Sequence, residues 1–165
     1  MSRTKFLTKI LFLFFAIASF SLVVVSCNKD DDEENNSYIL QELTSNAWHL
    51  QKFKEGDSVI YPKYENGYEN NKLYTMIFYD DSFTMKANPN WYDGTFTLNE
   101  QTNNIKINIV FSSQAMSTEH EKKMIEALNR TSKISIASNK LCLYYDTNKY
   151  MEFEKVNLNV WNSKK

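Results

Sequence analysis

Apolar and polar residues alternate along most of this chain. The clearest run is Ile105, Ile107, Ile109 and Phe111, with Asn104, Lys106 and Asn108 between them. A period of two describes a strand with one buried and one wet face. The same pattern predicts strands over Ala47–Phe53, Leu73–Tyr79, Ser82–Ala87, Tyr92–Leu98, Lys133–Ala137, Lys140–Tyr145 and Lys149–Lys155, and a weaker one over Ser58–Tyr61. The links between them are short: Asp80-Asp81, Ser138-Asn139 and Asp146-Thr147-Asn148. Asn and Asp tolerate the positive φ that tight hairpins need. The expected fold is mainly β, an antiparallel meander forming a small barrel-like sheet.

One segment changes period. Thr118-Glu119-His120-Glu121 fits a capping box, with Thr118 as N-cap and Glu121 at the third helical position. Met124, Ala127 and Leu128 then recur at helical spacing, and Ile125 widens their stripe. This predicts one helix of about three turns, ending near Asn129 and Arg130 and packed on the sheet.

The N-terminus follows neither pattern. Arg3, Lys5 and Lys9 precede or flank an uncharged apolar run from Ile10 to Val25. The run is shorter than the roughly 20 residues of a spanning helix. It ends in Val24-Val25-Ser26-Cys27, which reads as a bacterial lipobox. Cleavage after Ser26 leaves Cys27 as the first residue, with its thiol carrying a diacylglyceryl group. Each buried methylene is worth about 0.8 kcal/mol, so two or more chains hold a protein firmly at a membrane. The expected organisation is a signal peptide over 1–26, an acidic disordered tether over 27–37 and a single domain over 38–165. The tether holds Asn28-Lys29-Asp30-Asp31-Asp32-Glu33-Glu34, a block of like charge that repels itself.

Composition sharpens this. Gly is 3 and Pro is 2, so turns rest on Asn and Asp, while Tyr at 10 and Phe at 11 favour strands. Loss of the three N-terminal cations takes the formal charge from −1 to −4. That argues against nucleic acid, which needs clustered Lys and Arg. With Cys27 lipidated, Cys142 has no partner within the chain, and its place in Leu141-Cys142-Leu143 suits a small buried hydrophobe.

No catalytic constellation emerges. His49 and His120 are the only histidines, too few for a zinc site, and both read as ordinary partly exposed residues. There is no Gly-x-Ser-x-Gly elbow and no phosphate-binding glycine loop. Asp30–Asp32 lacks the spacing of a calcium loop. The expectation is a protein with no enzymatic activity, no metal and no cofactor. Trp48, beside Leu50, reads as a core anchor. Tyr61, Tyr64 and Tyr68 lie in a loop rich in Tyr and Asn, and Trp91 and Tyr92 are expected near it. Exposed rings with Asn suit contact with a protein or glycan, so these five are the candidate binding residues.

Two resemblances follow. Lys29 with Asp30, Asp31 and Asp32 after Cys27 resembles the lipoprotein export signal of Bacteroidota, which implies the outer face of the outer membrane, with its periplasmic face as the alternative. Leu43-Thr44-Ser45-Asn46-Ala47-Trp48-His49-Leu50, Ile77-Phe78 with Phe83, and Asn90-Trp91-Tyr92-Asp93-Gly94-Thr95-Phe96 follow in order. Ser112-Ser113-Gln114, the helix, and the pairs Leu141-x-Leu143 and Met151-x-Phe153 complete the series. From Leu43 to Val156 the chain resembles the META domain, a heat-shock-lipoprotein-like family of bacterial envelope proteins. The resemblance implies a barrel-like sheet on one helix, no known enzymatic activity and a link to envelope stress. Family members often carry cysteines where this chain has Pro89 and Ser117, so a disulfide-dependent role does not transfer. The leading expectation is a lipid-anchored, non-enzymatic interaction or stress module with an unidentified protein or glycan partner. The alternative is a lipocalin-like binder of a small ligand or glycan, which needs an open interior of a few hundred Å³.

Overall fold

The computed structural model describes residues 31–63, 73–87 and 89–158, with side chains from residue 38 onward. Contacts divide the chain into Met1–Asp31 and Asp32–Lys165, and the architecture below belongs to the second unit.

The predicted meander is present. Its strands are β1 (Ala47–Glu55), β2 (Ser58–Ile60), β3 (Thr75–Phe78), β4 (Ser82–Lys86), β5 (Trp91–Asn99), β6 (Asn104–Ser112), β7 (Lys133–Ala137), β8 (Lys140–Asp146) and β9 (Lys149–Val156). They lie in the order β2-β1-β3-β4-β5-β6-β7-β8-β9, and β1 also pairs β9, so the sheet closes into a ring. Closure pairs the β9 edge that an open sheet would leave free, while β2 pairs β1 alone. β1 serves two neighbours on one side: Ala47–His49 pair β3, and Phe53–Glu55 pair β2.

The ring has a seam. Only Asn104 and Lys133 pair β6 with β7. The chain leaves the sheet between these strands to form a helix over Glu119–Arg130, which contacts both β6 and β8. Met124, Ala127 and Leu128 are buried on its inner side, so the expected stripe covers the seam. Burying a side chain such as Met124 or Leu128 is worth about 1.5–3 kcal/mol. The capping box is complete: Thr118 Oγ1 accepts from Glu121 N at 3.2 Å, and Glu121 Oε2 accepts from Thr118 N at 3.3 Å.

A second helix replaces part of the expected tether. Asp31–Thr44 is helical, so the segment read as disordered over 27–37 is helix from Asp31 onward. We call this helix α1 and Glu119–Arg130 α2. The charge block hid α1 from a pattern reading. Acids in a first turn suit the helix dipole, and tertiary contact does the rest. Leu43 is fully buried, Ile39 and Leu40 pack on the core, and the Leu43 carbonyl accepts from Trp48 Nε1 at 2.9 Å. Lys155 pairs with Glu42 and lies over the Trp48 ring, 6.0 Å from its centroid. The barrel therefore packs on two helices rather than one.

Local departures have local causes. β3 starts at Thr75 rather than Leu73 because Tyr74 adopts φ 56°, a left-handed conformation that breaks the strand. Among the three hairpin turns, positive φ occurs at Ser138, with no such residue at Asp80, Asp81 or Asn148. Phe111 was expected inside with the three isoleucines. The β5–β6 register slips between Asp93 and Gly94, opposite Phe111 and Ile109, and the extra residue Val110 turns Phe111 outward, 57 % exposed.

Candidate functional site

The segment Asn90–Phe96 has a physical role at each distinctive position. Asn90 is buried and uses its whole side chain. Its Oδ1 accepts from Ala115 N at 2.8 Å and Ser113 Oγ at 2.9 Å. Its Nδ2 donates to the Ala115 carbonyl at 3.0 Å and to Ser117 Oγ at 3.4 Å. One amide thus ties down the loop from β6 to α2. Gly94 allows close approach: a Cβ there would meet the Asn108 carbonyl and come within 2.7 Å of the Phe83 ring. Phe96 packs edge-on against Phe78, with centroids 5.3 Å apart.

Glu121 completes this clamp. It is fully buried, and its Oε1 accepts from Asn90 N at 3.2 Å and from Tyr92 Oη at 3.0 Å. With Thr118 N on Oε2, the carboxylate has three donors. Burial raises the Tyr92 pKa, and the Glu121 carboxylate adds to the rise, so Tyr92 stays a neutral donor. The clamp joins the β4–β5 turn to the start of α2, beside Pro89 and Ser117. Hydrogen bonds hold these segments without a disulfide.

Apolar side chains are exposed on the clamped loop and on the adjoining ends of β5 and β6. Met116 is 92 % exposed, and Trp91, Val110 and Phe111 are also exposed. Trp91 and Phe111 project from the outer face of β5 and β6, and Lys86 Nζ lies 5.4 Å from the Trp91 ring centroid.

A second cluster links α2 to the rims of β1 and β8. Glu55 Oε1 accepts from Lys123 Nζ at 2.7 Å and from Tyr145 Oη at 2.9 Å. The Lys123 bond is the main reason the Glu55 pKa is lowered. Burial, aided by Glu55, pushes the Tyr145 phenol well above its usual range, which leaves it unsuited to act as a base.

The residues singled out from sequence scatter. Ser26, Cys27, Lys29, Asp30, Tyr64 and Tyr68 lie outside the described residues; Asp31 and Asp32 begin α1. Tyr61 is exposed, as is Trp91, but Tyr92 faces the core and is unavailable to a ligand. The alternation of β5 sends Tyr92 and Trp91 to opposite faces. Trp48 is fully buried, as a core anchor should be. Cys142 differs from expectation: it is half-buried on the outer face, between Ser135 and Glu152 in the sheet register. Burial raises its pKa, and Glu152 raises it further. Ellman's reagent should therefore react with Cys142 at least about tenfold more slowly in the folded protein than in denaturant. Equal rates would contradict this placement.

His49 is buried rather than partly exposed, with Nδ1 3.1 Å from Thr75 Oγ1. Burial lowers its pKa from an ordinary value of 6.5. The unfolded chain then takes up a proton at higher pH than the folded one. The His49 contribution is complete above about pH 6.5 and shrinks as pH falls through that value towards the folded pKa. The thermal midpoint should drop between about pH 7 and pH 5, and His49→Gln should flatten that part of the profile. An unchanged slope in the variant would remove His49 as its source.

The interior offers no lipocalin-like chamber among the described residues. Trp48, Phe53, Phe78, Phe83, Met124 and Leu128 fill it, each at most 2 % exposed. No group of three or more His, Cys, Asp and Glu residues that could hold a metal occurs among the described residues.

A closed antiparallel ring with a helix across its seam and a buried polar clamp beside it defines a small β-barrel domain. The META domain family model matches residues 41–157, and the chain belongs to that family. Among solved structures it resembles a DUF4847 family protein from Bacteroides vulgatus ATCC 8482, at 22 % identity and TM-score 0.55, covering 70 % of this chain and 96 % of that one. A protein from Burkholderia xenovorans, solved by NMR, aligns at 14 % identity and TM-score 0.52, over 72 % of this chain and 87 % of its own. These likenesses speak for the fold. No curated protein matches the chain.

Proposed function

We propose that this protein is a lipid-anchored lipoprotein of the bacterial outer membrane, facing outward, whose META domain acts without catalysis as an interaction or envelope-stress module. The observation that carries this reading is Val24-Val25-Ser26-Cys27 at the end of an apolar run with cations before it. Lys29, Asp30, Asp31 and Asp32 support the surface address through their likeness to an export signal. Exposed Trp91, Val110, Phe111 and Met116 support a binding role, since they serve no interior packing, and Asn90 ties down the loop that carries Met116. A lipocalin-like pocket is disfavoured by the filled interior.

The test is made in cells. Cys27→Ala should abolish incorporation of labelled palmitate and release the protein from the membrane fraction. Palmitate labelling of the variant would sink the anchor. External protease should digest the domain on intact cells. Because α1 begins at Asp31, deleting residues 29–34 would also remove the first turn of the helix. Charge removal is the cleaner control: Lys29→Ala, Asp30→Asn, Asp31→Asn and Asp32→Asn together should leave the protein lipidated but protected. Protection of the unmodified protein would favour the periplasmic face and the stress role.

A further inference from the structure

Beside the seam, the ends of β5 and β6 and the Thr131-Ser132 link from α2 to β7 enclose a shallow, open depression of about 540 Å³, within the volume range of small-ligand sites. Thr97, Asn99, Asn104, Lys106 and Ser132 line its rim, and the buried Ile105 contributes to its floor. The rim therefore offers two amides, two hydroxyls and one ammonium, and no carboxylate. Among the described residues no ion pair engages Lys106. The Asn99 carbonyl already accepts from Thr102 N at 3.1 Å, which leaves its amide hydrogens as donors.

The same cross-strand row continues past the seam. Asn99 pairs Asn104, Asn104 pairs Lys133, Lys133 pairs Tyr144 and Tyr144 pairs Tyr150. Tyr144 stands two strands beyond Asn104, about 10 Å away at the usual strand spacing. The Tyr144 and Tyr150 rings lie 5.3 Å apart on the outer face, half-buried and so held in place.

Amides and hydroxyls both donate and accept, which matches the hydroxyls of a sugar. A fixed aromatic ring supplies rigid area for the apolar face of a sugar ring at low entropic cost. We propose that this open depression over the ends of β5 and β6 is a carbohydrate-binding groove. It takes an oligosaccharide whose hydroxyls bond Thr97, Asn99 and Asn104 and whose further rings run towards Tyr144. Lys106, with no acid on the rim, gives acidic sugars the advantage over neutral ones. This groove is separate from the Trp91 surface, and its binding does not depend on how the chain is anchored.

The test is a nitrogen-15 NMR titration of the protein with chitohexaose, maltohexaose and hexagalacturonate. Amide shifts should concentrate at Thr97–Asn99, Asn104–Lys106, Ser132 and Tyr144, with hexagalacturonate binding tightest. Asn104→Ala with Lys106→Ala should weaken binding at least about tenfold while the thermal midpoint stays unchanged. Lys106→Glu should weaken hexagalacturonate more than the neutral sugars. No shift with any of the three at about 10 mM would overturn the proposal. So would shifts centred on Trp91 and Phe111, or equal affinity of the double variant.

Discussion

Asn90→Ala should destabilise the folded domain by roughly 2–4 kcal/mol, because it removes four part-buried hydrogen bonds made by a buried amide. The Ala115 N–H and carbonyl lose their only partners in the clamp, and Ser113 and Ser117 each lose one. A surface residue would be rescued by water; Asn90 is 1 % exposed, so its cavity is too confined for free rescue. The effect should be local as well as global. Amide exchange should rise first over 113–118 and the start of α2, where the clamp fixes the chain. Asn90→Asp keeps the acceptor and loses the donor, so it should fall between the native protein and the alanine variant. Urea unfolding checks the ranking. An alanine variant within about 0.5 kcal/mol of the native protein would show that the clamp contributes little.

Gly94→Ala should cost on the order of 3 kcal/mol, a large penalty for one methyl group. The added carbon meets the Asn108 carbonyl, which belongs to the neighbouring strand and cannot swing aside. The Phe83 ring blocks the other direction and is itself packed near Phe78, at 6.0 Å between centroids. Relief requires β5 to move from β6 or Phe83 to leave its place. Phe83→Leu removes the ring contact but not the backbone one, so combining it with Gly94→Ala should recover only part of the loss. Full recovery would assign the penalty to the ring alone. This close approach also explains why a glycine sits in mid-strand with ordinary φ, in a chain that has 3 glycines.

Glu121 shows how much of the clamp was visible beforehand. Its spacing from Thr118 marked a helix start, and both capping bonds are present. Its other partners, Asn90 N and Tyr92 Oη, lie far back in the chain. A capping residue looks the same from sequence whether its carboxylate faces water or a neighbouring strand. Tyr92 was misplaced for a related reason: its aromatic character suggested contact, while strand alternation, known from the same residues, sends it inward. Phe111 failed in the opposite way. Its alternation predicted burial, and the irregular β5–β6 register overrode it, since one extra residue reverses every later side chain.

The chain by itself determined what depends on neighbours in sequence. Period-two runs fixed the strands, the capping box fixed α2, short polar links fixed the meander, and the N-terminal pattern set the expectation of a lipidated Cys27. The tertiary structure decided what depends on residues far apart. It closed β1 on β9, placed α2 across the seam, and stabilised α1 by burying Leu43 and bonding its carbonyl to Trp48. The physical reason is the range of the forces. Backbone sterics and capping act within a few residues, whereas burial of apolar surface and satisfaction of a buried carboxylate are settled only when distant strands meet.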